Sequence, residues 1–243
     1  MAAEGLIGRI HKIREIEGLD SYASTQENLI QWGIPFAFLF RSRFALFLFS
    51  LLSSHYLMSY KQLIGSRCIL DVGCGLGLPM RVLRRLGLPS RVIGVDVHIQ
   101  YLRRVKKLEI YDDRVLASAV YLPFREKSFN SVICLQVLEH LTKRDGVTAL
   151  RKLSRVADTV VVTTPVSFVK ADVDPRNPFQ KHRSAWYPED LEHLGYMTKG
   201  YGWFRITKHS CLAPLLVLMN IILIPMLRGL PRLAYHMYAV KRH

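Results

Sequence analysis

The sequence predicts a doubly wound α/β domain built on a mostly parallel seven-stranded sheet. Three observations lead there. Short, continuously apolar runs recur through residues 67–164. Amphipathic segments of helical period stand between them. Glycines and acids fall where the runs end. Continuous apolar strands alternating with amphipathic helices require a parallel sheet covered on both faces. Such a sheet takes its ligands outside the carboxyl ends of its strands.

The elements follow in order. Residues 6–17 place Leu6, Ile10 and Ile13 at helical spacing, and the first 18 residues carry an early acid and no apolar core, unlike a secretory signal. Residues 34–58 are intensely apolar and aromatic, yet hold Arg41 and Arg43. Each arginine costs about 2.5–3.5 kcal/mol at the centre of a bilayer, so a segment lying in the membrane interface suits this run better than a span. From 67 onward, "RCILDV", "RVIGVD", "RVLAS", "SVICLQ" and "TVVVTT" read as strands, with "MRVLRRL", "IQYLRRVKKLEI" and "GVTALRKLSRVA" as the helices among them. A loop rich in Pro, Asp and Asn follows. Then come a short helix over 184–194 with Pro188 in its first turn, a strand in "GYMTKGYGWF", and a final strand in "AYHMYAVKRH".

Between those last two strands, residues 211–227 carry no charge but include Pro214, Asn220 and Pro225. Seventeen residues lie at the lower limit for spanning. If 234–241 joins the same sheet, a single crossing would strand it on the wrong side of a membrane. The segment is therefore expected to dock in an interface or pack on protein. The domain reading is an apolar helical cap over 1–66 and a catalytic domain over 67–243 with an apolar insertion at 211–230.

The 243 residues carry a formal charge of +15, of which +10 falls on residues 67–210. Such a surface favours polyanions, either anionic lipid headgroups or nucleic acid. The four cysteines, Cys68, Cys74, Cys134 and Cys211, form no CxxC pair and fit neither a zinc site nor a disulfide framework. No metal is expected from them.

The stretch "ILDVGCGLGLP" carries the chemistry. Gly73, Gly75 and Gly77 fit neither dinucleotide spacing nor a phosphate-binding P-loop. Asp71 would repel a pyrophosphate seated on the following helix and favour an ammonium or sulfonium charge instead. Asp96, closing the next strand, can accept hydrogen bonds from a ribose. A ligand with a ribose and a cationic, non-phosphorylated arm is implied, and S-adenosylmethionine has both.

These residues resemble the first motif of the class I S-adenosylmethionine-dependent methyltransferases. "VIGVD" resembles their second motif, and "ASAVYLPFREKSFNSVICLQVLEHL" resembles the "LPF", "SFD" and "LEHL" elements that follow, over about 67–200. The likeness is greatest to the broad subgroup acting on small molecules, quinones and lipids. The resemblance implies a Rossmann-like methyltransferase fold and places Gly73, Gly75 and Gly77 along the methionine part of the cofactor, with Asp71 near its ammonium. Asp96 would hold the ribose, Val97 would pack on the adenine, Ser118 and Ala119 would flank it, and Gln136 would face the methionine arm. Ser118 stands where the family usually has Asp, and Asn130 stands where its motif reads Asp; Asn130 is expected to be a structural cap.

Methyl transfer from a sulfonium is an in-line displacement that needs a base only where the nucleophile must lose a proton. His140 and His182 are the candidates, with Tyr22, Trp186 and Tyr187 as acceptor contacts. The two apolar additions and the basic surface point to a peripheral membrane enzyme on the cytoplasmic face, drawing a lipid, quinone or other hydrophobic small molecule from the bilayer. RNA as acceptor, or a non-catalytic cofactor-binding scaffold on a membrane, are the alternatives.

Overall fold

The structure is a computed structural model and describes residues 54–170, 177–201 and 226–243. Its elements are α1 (Ser54–Leu63), β1 (Cys68–Val72), α2 (Leu78–Arg85), β2 (Arg91–Asp96), α3 (Ile99–Lys106), β3 (Asp113–Leu116), β4 (Phe129–Leu135), α4 (Lys143–Val156), β5 (Ala157–Pro165), α5 (Pro188–Glu192), β6 (Met197–Tyr201) and β7 (His236–Arg242). Short 3-10 turns cover Leu138–His140, Pro178–Gln180 and Pro231–Leu233.

The strands form one sheet in the order β3-β2-β1-β4-β5-β7-β6. All neighbours are parallel except β7, which runs antiparallel to both β5 and β6. The strand order reverses at β1, which pairs with β2 on one side and β4 on the other. That reversal opens the crevice in which this architecture binds ligands.

Successive residues of a strand point to opposite faces, and here both faces are covered. Leu70, Val132, Val160 and Ala239 pack with Leu150, Leu153, Trp186 and Leu191 of the α4–α5 side. Ile69, Ile133, Val161 and Val240 pack with Leu63, Met80, Leu83, Leu102 and Val105 of the α1–α3 side. The sequence runs are therefore continuously apolar rather than alternating.

Polar side chains fix the starts of elements. Asn130 Oδ1 accepts from the backbone N–H groups of Arg67 and Cys68 at 3.1 and 3.0 Å, tying the entry of β1 to β4. Asn130 is thus the structural cap expected. Thr142 caps α4 by accepting from the Asp145 N–H at 3.2 Å.

Trp186 corrects an expectation. It is fully buried, its indole N–H donates to Ser184 Oγ at 2.9 Å, and the Lys143 ammonium lies 4.1 Å from its ring centroid. It packs against Gly146 of α4 and offers no surface to an acceptor, because the indole is the largest side chain filling the layer between α4 and α5.

Tyr22, the run 34–53 and residues 202–225 lie outside the described residues. No helix among those described is long and apolar enough to cross a membrane. Tyr201 and His236 are paired at one end of the β6–β7 ladder, where β7 also meets Pro165 of β5. The connection from 202 to 235 thus leaves and returns at the carboxyl edge of one sheet, as the sequence argument against a single crossing requires.

A Cβ built on Gly146 would stand 2.3 Å from Trp186 Cζ2. Gly146→Ala is expected to lose about 1–3 kcal/mol of stability through overpacking, measured as a lower urea midpoint with an unchanged slope. An unchanged midpoint would mean that the Trp186 ring is free to move.

Candidate active site

The turn after β1 is folded back onto the end of β2. Gly73 and Cys74 both donate their N–H groups to the Val95 carbonyl, at 2.8 and 2.9 Å. Gly75 donates to Asp96 Oδ2 at 2.8 Å. This path requires positive φ at Gly73 (74°) and Gly75 (52°), a region that costs a residue with a Cβ about 1–2 kcal/mol. The two glycines differ in what surrounds them. A Cβ at Gly73 would stand 2.3 Å from Val137 Cγ2, whereas a Cβ at Gly75 would meet nothing nearer than the Gly73 carbonyl at 4.0 Å. Gly75 therefore borders open space at the crevice. Gly77 (φ 75°) ends the turn against Ile110 and is the N-cap of α2, with Pro79 in the first turn.

Asp96 is almost wholly buried. Oδ2 accepts from Gly75 and Oδ1 from the His98 N–H at 2.8 Å. Burial raises its pKa, opposed by the hydrogen bonds from His98 and Gly75. Each oxygen keeps a lone pair for a ribose hydroxyl. Asp71 is also buried and accepts from the Tyr111 hydroxyl at 2.7 Å. Burial raises its pKa to about 7, against the Tyr111 hydrogen bond and with help from Asp96. Among the described residues no cation pairs with it. Two buried carboxyls beside an open glycine face fit a cationic ribonucleoside. Tyr111 was not legible in the sequence, because it lies forty residues from the carboxylate it orients.

The remaining predicted contacts cluster along the same edge. Val97 is 40% exposed directly after Asp96. Ser118 Oγ accepts from the Val120 N–H at 3.3 Å, and Ala119 is buried beside it. Gln136 has a positive φ of 57° and its amide N–H donates to Thr163 Oγ1 and the Tyr201 hydroxyl at 3.1 and 3.4 Å. Strain of this kind persists only where surroundings over-determine it, and it concentrates at functional sites. From the far side, Gln180 donates to the Tyr101 hydroxyl at 2.8 Å, carrying the loop after β5 across to α3.

His140 and His182, 42 positions apart in sequence, come together with ring centroids 4.8 Å apart. Burial lowers the pKa of His140 to about 4, with the neighbouring His182 adding to it. His140 is thus neutral at physiological pH and a weaker base than a free imidazole. Burial lowers His182 as well. Glu139, which sequence reasoning passed over, is buried, accepts from Thr164 Oγ1 at 3.0 Å, and has its pKa raised by burial to about 8. Tyr187 lines a cavity of about 430 Å³ with Val166, Val169, Leu233 and Tyr235.

Residues 70–159 match the family described as methyltransferase domain. The chain is 35% identical over 95 residues to a methyltransferase of Streptomyces halstedii, covering 36% of this chain and 33% of that protein. It is 27% identical over 107 residues to an uncharacterised protein of Methanocaldococcus jannaschii, covering 43% and 44% respectively. The matches thus span less than half the length of these curated relatives. Among solved structures, an S-adenosylmethionine-dependent methyltransferase from Archaeoglobus fulgidus superposes with a TM-score of 0.51 at 19% identity, covering 86% of this chain and all of that one.

Two outcomes are expected of the crevice. Gly75→Ala should weaken S-adenosylmethionine binding at least tenfold in calorimetry with a small loss of thermal stability, whereas Gly73→Ala should lose more stability by overlap with Val137. Equal stability losses with unchanged affinity would refute the assignment. Second, a cationic ligand favours ionised Asp71. Affinity should therefore rise by up to about tenfold as the pH goes from 6 to 7.5, as proton loss from Asp71 ceases to oppose binding. Asp71→Asn should flatten that dependence. Residues 70–159 thus match the methyltransferase-domain family, and the sheet around them has the fold of a solved S-adenosylmethionine-dependent methyltransferase.

Proposed function

We propose that this protein is an S-adenosylmethionine-dependent methyltransferase that works at a membrane surface on a lipid, quinone or other hydrophobic small molecule. The observation that carries the reading is the carboxyl edge of the sheet. There the glycine crevice and the His140–His182 pair lie beside an apolar rim. Phe168, Tyr187, Met226, Leu230 and Leu233 are each between 42% and 56% exposed along the segments after β5 and before β7. The cavity lined by Tyr187 and Leu233 opens among them. Exposed apolar side chains on the segments flanking a ligand edge suit an interaction surface.

The chemistry divides between the two halves of the edge. Bound S-adenosylmethionine supplies a methyl group on a sulfonium. Asp96 and the Gly75 turn fix its ribose end, and Asp71 attracts its positive charge. His140 and His182 stand where the acceptor's nucleophile would lie, with Tyr187 contacting its apolar body. Alignment does most of the work in such a displacement. The formal charge of +15 adds a general attraction to anionic headgroups. The site of action on this reading is the cytoplasmic face of a membrane.

The test is incubation with methyl-labelled cofactor and a total extract of lipids, small molecules and RNA from the host. Label is expected in the lipid-soluble fraction, with the protein floating with anionic liposomes. Label confined to RNA, with binding that falls steeply with salt, would replace this acceptor by nucleic acid. Absence of label in every fraction, with cofactor binding intact, would support a scaffold.

A further inference from the structure

We propose that Glu139, His140 and His182 form a site for one divalent transition-metal cation at the carboxyl ends of β4 and β5. One ligand atom from each lies within 4.8 Å of the other two. Ligand atoms on a tetrahedral zinc, at about 2.0–2.2 Å from the ion, sit roughly 3.4 Å apart. The three therefore need to close by about 1 Å, within the reach of side-chain rotation.

What distinguishes this cluster from a chance meeting is the state of its ring nitrogens. A metal-bound imidazole almost always donates its other ring N–H to a carbonyl, carboxylate or water, which fixes the tautomer. His182 does this: its Nδ1–H donates to the Val169 carbonyl at 2.5 Å, leaving the Nε2 lone pair free for a ligand. For His140, Nδ1 is buried and has no hydrogen-bond partner among the described residues. His182 thus turns an N–H to the backbone, and His140 keeps a buried ring nitrogen that no described protein group satisfies. A buried, unpartnered polar atom calls for an explanation, and a cation is the group that satisfies it.

The ligand segments are also held in register. The Glu139 carbonyl accepts from the Arg183 and Ser184 N–H groups at 2.7 and 3.3 Å, and Ser184 Oγ donates to the Leu138 carbonyl at 3.1 Å. His182 is thereby fastened beside His140. Thr164 Oγ1 donates to Glu139 Oε2 and orients the carboxylate. Two imidazoles and a carboxylate suit zinc, cobalt, iron or manganese rather than calcium or magnesium. Three protein ligands leave a coordination position open. On the reading that this edge receives the acceptor, that position takes an acceptor oxygen, which narrows the substrate class to molecules presenting a hydroxyl or carboxylate oxygen.

The test is titration of tag-free, chelator-treated full-length protein with cobalt(II), followed by its visible absorption, and with zinc by calorimetry. One equivalent should bind saturably, and zinc should raise Tm. His140→Ala, His182→Ala and Glu139→Gln should each weaken binding at least tenfold, while His193→Ala, exposed after α5, should not. Half-buried His182 also offers His182→Gln, which keeps the test open if the His140 variant does not fold. Absence of saturable binding to the wild-type protein, or binding unmoved by both His182 variants, would overturn the site. S-adenosylmethionine calorimetry on the same metal-free samples tests the cofactor reading separately, so either can fail without the other.

Discussion

Everything at the carboxyl edge depends on the backbone hydrogen bonds that fold residues 73–75 onto the end of β2. Two N–H groups share the Val95 carbonyl and a third reaches Asp96. These bonds hold the turn tight against the sheet, and only residues without a Cβ follow that path without strain. Because Asp96 is both the partner of Gly75 and the last residue of β2, the position of the carboxylate is set by the sheet rather than by a loop. The pairing of β1 with β2, Asp71 opposite Gly94 and Val72 opposite Val95, brings Asp71 and Asp96 to the same edge.

Burial, and then the neighbouring Asp96, raise the pKa of Asp71, and two buried carboxyls so placed are costly in the absence of a cation. The Tyr111 hydroxyl offsets part of that cost at Asp71, and backbone N–H groups do so at Asp96. The crevice is thereby prepared for positive charge. On the other half of the edge the logic is reversed. His140, His182 and His236 are held neutral by burial, so that half presents lone pairs rather than cations. One sheet edge thus carries two environments, separated by Gln136, whose strained backbone is held by Thr163 and Tyr201.

The apolar rim follows from the topology. β7 inserts antiparallel between β5 and β6, so the long connection preceding it must begin and end at the ligand edge. An insertion at that place adds surface at the ligand edge without disturbing the parallel core. Met226, Leu230 and Leu233, exposed near the start of β7, are the part of it that the structure describes.

The sheet, the order of its elements and the glycine turn after β1 were legible in one dimension. Those rest on local signals: continuous apolar runs for strands buried on both faces, helical period for the layers that cover them, and alternate glycines before Pro79 for a turn through positive φ. Asn130 was legible as a cap for the same reason. The rest came from packing between distant segments. Trp186 looked like a loop residue available to an acceptor, but its burial against Gly146 depends on how α4 and α5 pack, which no local pattern encodes. Tyr111 meets Asp71, and His140 meets His182, across separations that periodicity does not span. The pKa of His140 shifted for a reason equally invisible in one dimension: an imidazole's affinity for a proton is set by the solvent and carbonyls around it, and those are assembled only when β4, β5 and the loop after β5 close on one another.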